Sequence, residues 1–579
     1  MRASRGAVAL LVFVAFVVLA LAGPPARANS TTDCYFTIGK WGPARTTIDV
    51  WANNSATNGL QNLGISMADA DHALRQAISI WNEQSGGSLR LRYRGQTDVQ
   101  AIGGALTVTF FATRDPFGNA AGRTWLFRSQ SAPTQITNGI IALYQGYTWE
   151  HGGGSDYERW TTFPWYQTLR FLPIMVHELG HAAYQIVHPG EQGRVDDGSQ
   201  NGAAVQCTDL GQATVMSALP YGQPTWPYRS LRAWDKLQAQ GRLGGRGSTS
   251  QIVHRKWSGG LGSGSWASPR TFSRSALYRM ASSSQGRTDD KALLGWLQQG
   301  NRLNPGNAIR TEIASAGALN PGQSISSTIL SPVAVASTPA GASVMAYAAR
   351  EDLVTGLRRI CYRTSSDGIT FGGETCLRDA ADNYLTTHRD TVTAAYDPFS
   401  RAFLIGAIVE WGVVDDEPNP RLFIQALPVA GSTTPQRFTL LATDRRSFNA
   451  PSIACRDDKL GCRVFYQDRS LHGSLRWVEA QVDRATGYVV EGAIRSADLD
   501  QFDTPSVVWS EAEGRYRIAF VQDNSLVQAF ALDRTGTSLV RLADLSSGNA
   551  FVSAPVQSTT ACTSPSCTGE TVGWLVQWW

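Results

Sequence analysis

Pro505-Ser506-Val507-Val508, followed by Arg517-Ile518-Ala519-Phe520-Val521-Gln522-Asp523, reads as two short strands joined by a turn. Brief runs of β-branched and aromatic residues between turn formers are the signature of antiparallel pairs. The phrase recurs. Pro451-Ser452-Ile453-Ala454 precedes Arg463-Val464-Phe465-Tyr466-Gln467-Asp468, and Val392-Thr393-Ala394-Ala395-Tyr396-Asp397 precedes Ala402-Phe403-Leu404-Ile405. Pro332-Val333-Ala334-Val335 precedes Val344-Met345-Ala346-Tyr347, and Pro555-Val556 precedes Val572-Gly573-Trp574-Leu575-Val576. The anchors 332, 392, 451, 505 and 555 are spaced by 60, 59, 54 and 50 residues. Ala276 to Met280, followed by Ala292 to Leu297, fits one step earlier. A period near 50 with about four strands per unit is that of a β-propeller blade. Six anchors predict six blades over residues 250–579. The last unit has room only for two inner strands before Trp579. Residues 250 to 270, with Ile252 to Trp257 and the segment around Trp266, are placed to supply two outer strands and close the ring.

Within this region Ser365-Ser366-Asp367-Gly368-Ile369-Thr370-Phe371 resembles the Asp-box turn of sialidase-like propellers, shortened by one residue. The resemblance implies a structural role: the Asp caps a hairpin and the aromatic packs between strands. No cluster of arginines with a tyrosine nucleophile is visible that would make the propeller a glycosidase, so recognition or scaffolding is the expected role.

The chain has 8 Cys. Cys361 and Cys376, Cys455 and Cys462, and Cys562 and Cys567 are close neighbours, which leaves Cys34 and Cys207. An even count placed this way in an exported chain predicts disulfides, three local and one long, with the local pairs at comparable places in their blades. A competing reading makes Cys34 an inhibitory thiolate over a metal, at the expense of leaving Cys207 a free thiol. Export itself is read from the start of the chain. Met1-Arg2-Ala3-Ser4-Arg5 precedes an apolar run from Ala7 to Ala22, and Ala26-Arg27-Ala28 closes it as a signal peptide (residues 1–28) cleaved near Ala28. The run falls short of the ~20 residues of a spanning helix. A secreted, extracellular or periplasmic, monomeric protein is expected. Of the residues 42% are hydrophobic and 17% charged, with 56 Gly, which favours many short strands and turns. A net charge of +4 on 579 residues, with no basic run interleaved with aromatics, argues against nucleic acid.

Residues 29–245 have a different texture. Leu74, Ala77, Ile78 and Trp81 make one apolar stripe of a helix over 66–84, with Ser66 and Asp69 at its start and Gly86-Gly87 at its end. Leu89, Leu91 and Tyr93 then alternate with Arg90, Arg92 and Arg94, predicting a strand with one apolar and one basic face. Ala105 to Phe111 and Ile140 to Tyr144 read as further strands, and Thr168 to Val187 as a second helix with Pro173 in its first turn. This helix bears His177-Glu178-Leu179-Gly180-His181. Residues four apart lie on one helix face, so both imidazoles can reach one ion, with Glu178 beside it. Two neutral imidazoles suit Zn2+, and the carboxylate suits a general base acting on a zinc-bound water. Two structural histidines are the plain alternative, but with 8 His in the chain the pattern is a poor coincidence.

Together with Ala213-Thr214-Val215-Met216-Ser217-Ala218-Leu219-Pro220-Tyr221, a short apolar stretch with a Met ending in a turn, this motif resembles the metzincin family of zinc peptidases. The first helix with Ile80-Trp81-Asn82 looks like that family's first long helix, and residues 230–238 like its closing helix. The resemblance spans roughly residues 35 to 245 and implies an α/β zincin domain in front of the all-β propeller, a multidomain chain. It implies a Met turn beneath the metal and peptide hydrolysis. Tyr221 lies five residues past Met216 rather than two, which weakens it as an oxyanion partner. The family's helix-stopping Gly and third His fall here on Tyr184 and Val187; a His stands one residue later, at His188. On a straight helix His188 would lie ~10 Å along the axis from His181, too far for a zinc–nitrogen bond of ~2.1 Å. Ligation by His188 therefore requires a break near Tyr184 or Gln185. Glu191, Asp196 and Asp197 are the other candidates for the third ligand, and a surface histidine at a helix end is the plain reading of His188.

The leading expectation is a secreted zinc endopeptidase with metal ligands His177, His181 and His188 and catalytic Glu178. Its substrate is a protein or peptide, and its propeller recognises a glycan or protein. The alternative is a glycan- or protein-binding propeller protein with an inactive metal domain. A third reading is a sugar-cleaving propeller. Calcium sites in either domain stay open at this point.

Overall fold

In the computed structural model the described residues run with breaks from Lys40 to Trp578. Outside them lie residues 1–39, 42–46, 56–66, 112–121, 151–161, 187–191, 195–203, 207–249 apart from Asp235, 560–570 and several shorter loops. The signal peptide, Cys34, His188, Glu191, Asp196, Asp197, Cys207, Met216, Tyr221, Cys562 and Cys567 therefore lie outside the described residues.

The first unit is built on a six-stranded sheet. Its strands are β1 (Lys40–Trp41), β2 (Thr47–Asn53), β3 (Arg90–Thr97), β4 (Ala105–Phe111), β5 (Gly122–Arg128) and β6 (Gln135–Tyr144). They lie in the order β1-β6-β4-β2-β3, with β5 antiparallel on β6 and the other pairings parallel. Parallel neighbours need a crossover, and helix α1 (Met67–Gln84) supplies it between β2 and β3. The predicted stripe is the buried one: Leu74, Ala77, Ile78 and Trp81 are fully buried, in one core with Ile48, Val50, Leu106 and Val108.

Thr168 to Arg170 belong to a short strand, Tyr166–Arg170, and helix α2 begins at Phe171. It runs as α-helix to Leu179 and continues as a π-turn, Gly180–Tyr184. On the basic face of β3, Arg90 is buried, at 1% exposure. The carbonyls of a helix's last turn lack intrahelical partners, and the Arg90 guanidinium donates to one of them, Asn82 O, at 2.8 Å. The Asn82 side chain in turn pairs with both backbone groups of Leu91, at 2.8 and 2.9 Å, tying the helix end to β3.

From Ser250 onward every described element is a strand, and the strands form six sheets in a ring. Blade 1 spans Ala281 to Ser327, blade 2 Val333 to Thr387, blade 3 Thr393 to Leu440, blade 4 Ser452 to Ala497 and blade 5 Ser506 to Arg541. Blade 6 takes its inner strands, Val556–Thr559 and Thr571–Trp578, from the end of the chain, and its outer strands, Ser250–Ser258, Ser265–Trp266 and Arg270–Ser273, from the beginning of the region. Seven pairs from Ser250↔Trp578 to Lys256↔Val572 close the ring as the repeat implies. Apolar cores lie between blades; Leu404 and Ile424 of blade 3, for example, share a cluster with Ile453 and Tyr466 of blade 4. The inner strand of blade 1 is Ala281–Ser284, just after the segment 276–280 named from the repeat.

Two disulfides are present, Cys361–Cys376 and Cys455–Cys462. They do not occupy comparable places. The first joins the third and fourth strands of blade 2, the second the first and second strands of blade 4. The molecule is thus mostly β, with two α-helices among the described residues. No helix among them is long and apolar enough to cross a membrane.

Candidate metal centre

Helix α2 carries the candidate ligands because its far side is apolar. Met175, Val176 and Leu179 are fully buried in the core of the first unit. Trp81 of α1 donates its indole N–H to Val176 O at 2.8 Å, and Trp41 donates to Ala182 O at 3.0 Å. Tyr184 stands where the resemblance expects a glycine. It stacks on Trp81 with ring centroids 4.6 Å apart, and its hydroxyl donates to Leu89 O at 3.2 Å. An aromatic anchor therefore holds the end of the π-turn. The Ile186 amide then donates back to Gly180 O at 3.3 Å.

The Nε2 atoms of His177 and His181 converge to 3.0 Å, their rings at 86°. His181 Nδ1 lies 2.6 Å from the Ile186 carbonyl oxygen. A carbonyl only accepts, so Nδ1 carries the proton and Nε2 presents its lone pair toward His177. Such an outer hydrogen bond fixes tautomer and ring orientation for metal binding. Glu178, 5% exposed, is held from the sheet: the Thr124 hydroxyl donates to its Oε2 at 2.8 Å. Gly122 backs directly onto this carboxylate; a Cβ there would stand 2.6 Å from Oε1. Burial pushes the Glu178 carboxyl up to about 7, against the opposing pull of the Thr124 hydrogen bond and the nearby Arg123 charge.

Of the four residues expected at the site, His177, Glu178 and His181 are thus adjacent. His188 and its stand-ins Glu191, Asp196 and Asp197 lie outside the described residues. The donor set fits zinc as far as it is described: two imidazole Nε2 atoms converge, and the Ile186 carbonyl holds a proton of His181 on Nδ1. Thr124, Gly122 and the Ile186 carbonyl were not found from sequence, since neither a short strand nor a main-chain oxygen carries a motif.

Two other clusters in the propeller are closed to such chemistry. Cys361, Glu374 and Cys376 come together, but the two sulfurs are joined in the disulfide. Tyr347 accepts from Arg363 Nε at 2.9 Å and donates to Glu374 Oε2 at 3.0 Å, a tyrosine–acid pair that sequence reading did not find. Its phenol is 1% exposed and pushed up to about 12, first by burial and then by the Glu374 charge, so it is no accessible nucleophile.

No protein-family model matches the chain, and no curated protein does. Solved propellers do. A fucose-specific lectin from Aleuria aurantia is 11% identical, over 48% of this chain and 84% of that one, with a TM-score of 0.31. The BP39L lectin from Burkholderia pseudomallei is 14% identical over 48% and 88%, with a TM-score of 0.31. The GH93 α-L-arabinofuranosidase of Fusarium graminearum is 9% identical over 49% and 82%, with a TM-score of 0.31. At these scores the likenesses carry no functional argument; the six blades rest on the strand pairing of this chain itself.

Proposed function

We propose that the first unit is a zinc-dependent hydrolase of the metzincin type, acting on peptide bonds, with the propeller as its recognition part. The convergence of His177 Nε2 and His181 Nε2 at 3.0 Å, with the carboxylate of the next residue, Glu178, held by Thr124, carries this reading. Two of the three protein ligands are then His177 and His181, with His188 as the proposed third. A bound zinc ion would supply a Lewis acid for the substrate carbonyl and an acidified water. The chain's own groups do the rest. The Ile186 carbonyl keeps His181 in the tautomer that can ligate. Thr124 fixes the Glu178 carboxylate, whose raised pKa suits it to take a proton and return it to the leaving amine. Purified protein should contain one zinc per chain and cleave an unfolded protein, and Glu178→Ala should retain the zinc and lose the cleavage. Metal-free protein after zinc supply would overturn the reading.

The second reading is a binding protein, in which the propeller holds a glycan or a protein and the metal helix is inactive. It is favoured by the closed six-bladed ring, whose strands among the described residues all come from Ser250 onward. Saturable glycan binding by full-length protein that lacks zinc and hydrolysis would establish it.

A further inference from the structure

Helix α1 carries two stripes. Its apolar one faces the core. On the opposite side, at 100° per residue, His72, Gln76, Ser79 and Glu83 recur at i, i+4, i+7 and i+11. On a surface helix such a stripe is wet. Here His72 is 7%, Gln76 0% and Ser79 1% exposed. Part of the cover is the propeller. Gln467 Nε2 donates to Gln76 Oε1 at 2.9 Å. The Thr504 amide donates to Glu83 Oε1 at 2.8 Å and its hydroxyl to Oε2 at 3.3 Å. Both propeller residues are 1% exposed.

These contacts share one face of the ring. Gln467 ends the second strand of blade 4, and Thr504 stands just before the inner strand of blade 5. Ser506, at the start of that inner strand, pairs Ala519, toward the end of the second strand. The start of an inner strand and the end of a second strand thus lie on the same side. The closing pair Ser250↔Trp578 joins the end of blade 6's second strand to the start of its third, so the chain enters the propeller on this same face. From α1 the contact continues inward. Trp81 donates to Val176 O and stacks on Tyr184, which brackets the segment from His177 to His181.

We propose that this propeller face is the docking surface for the chain's own first unit, and that it braces α1 and, through Trp81, the helix bearing His177, Glu178 and His181. The occupant is already seated: a buried polar helix face matched by propeller donors. The inference does not depend on zinc or on hydrolysis, so it stands or falls separately from the proposed function.

Amide hydrogen exchange on the metal-free, full-length protein tests it. Glu83→Ala removes the carboxylate that takes two hydrogen bonds from Thr504 and should speed exchange in residues 171–184 by about tenfold. Gln467→Ala, which alters no residue of the first unit, should do so by about threefold. Propeller strands 343–349 and 515–522 should keep their wild-type rates in both variants. Unchanged exchange in 171–184 for both would overturn the brace. So would an equal rise in those propeller strands, since the loss would then be global.

Discussion

A carboxyl buried to 5% exposure would ordinarily be satisfied by a cation or lose its charge, and Glu178 is poised between the two. Burial raises it to about 7 while the Thr124 hydroxyl and Arg123 favour the ionised form. If the proposed activity holds, removing the carboxylate by Glu178→Ala should lower hydrolysis by about 10²- to 10⁴-fold, measured on a quenched peptide, with zinc content unchanged because the proposed ligands are His177, His181 and His188. Thr124→Val removes the hydroxyl that orients Oε2. The expected result is a fall of about tenfold in kcat at constant KM, with recovery in Thr124→Ser. An unchanged kcat in the valine variant would show that Glu178 needs no help from β5. His177 and His181 were legible in sequence because helical spacing alone puts them on one face, and Glu178 because it follows the first of them in the motif. Thr124, some fifty residues earlier, was not, because only the fold of the sheet lays β5 across α2. The place of Arg90 was not legible for the same reason: alternation gave a basic face, but only the fold brings its guanidinium to the Asn82 carbonyl at the end of α1.

At the scale of elements, the Asp-box turn in blade 2 behaves as its sequence implies. Asp367 accepts from the amides of Ile369 and Thr370 at 2.8 and 2.9 Å and from the Ser365 hydroxyl at 2.7 Å, while Gly368 takes φ +73°. Phe371 is buried at 4% exposure. The Thr370 and Ile369 amides, followed by Ser365, hold the Asp367 carboxyl down at about 2. A folded value below the unfolded one stabilises above the unfolded pKa and is lost as pH falls through the folded one. The Tm advantage of the wild type over Asp367→Asn should therefore be full near neutrality, shrink below about pH 4 and vanish by about pH 2. An advantage that persists in stronger acid would mean the turn is held by its backbone alone. The neighbouring Cys361–Cys376 bridge closes 15 residues, and on loop entropy its double serine variant should unfold about 3 kcal/mol sooner in denaturant. Position within a blade was not legible, because sequence spacing of two cysteines does not say which strands they will join.

On the scale of the whole molecule, the ring holds because its two ends are one sheet. Seven pairs between Ser250–Lys256 and Val572–Trp578 leave blade 6 without a gap, so the propeller is closed by strands from both ends of the region. Its polar contacts to α1 then make a helix that looks half-wet in sequence buried on both sides.

The periodicity near 50 residues determined the propeller, its blade number and its mode of closure, because each blade repeats the same local alternation and a four-stranded sheet cannot bury its faces alone. The helical spacing of His177 and His181 determined their convergence for an equally local reason. Only the tertiary structure decided that Arg90 is buried, that Tyr184 rather than a glycine ends the π-turn, and that Thr124 and Gly122 meet Glu178. It alone decided that the propeller covers Gln76 and Glu83. Each of these joins residues distant in sequence, and such contacts are chosen by the packing of whole elements, which no window of neighbouring residues encodes.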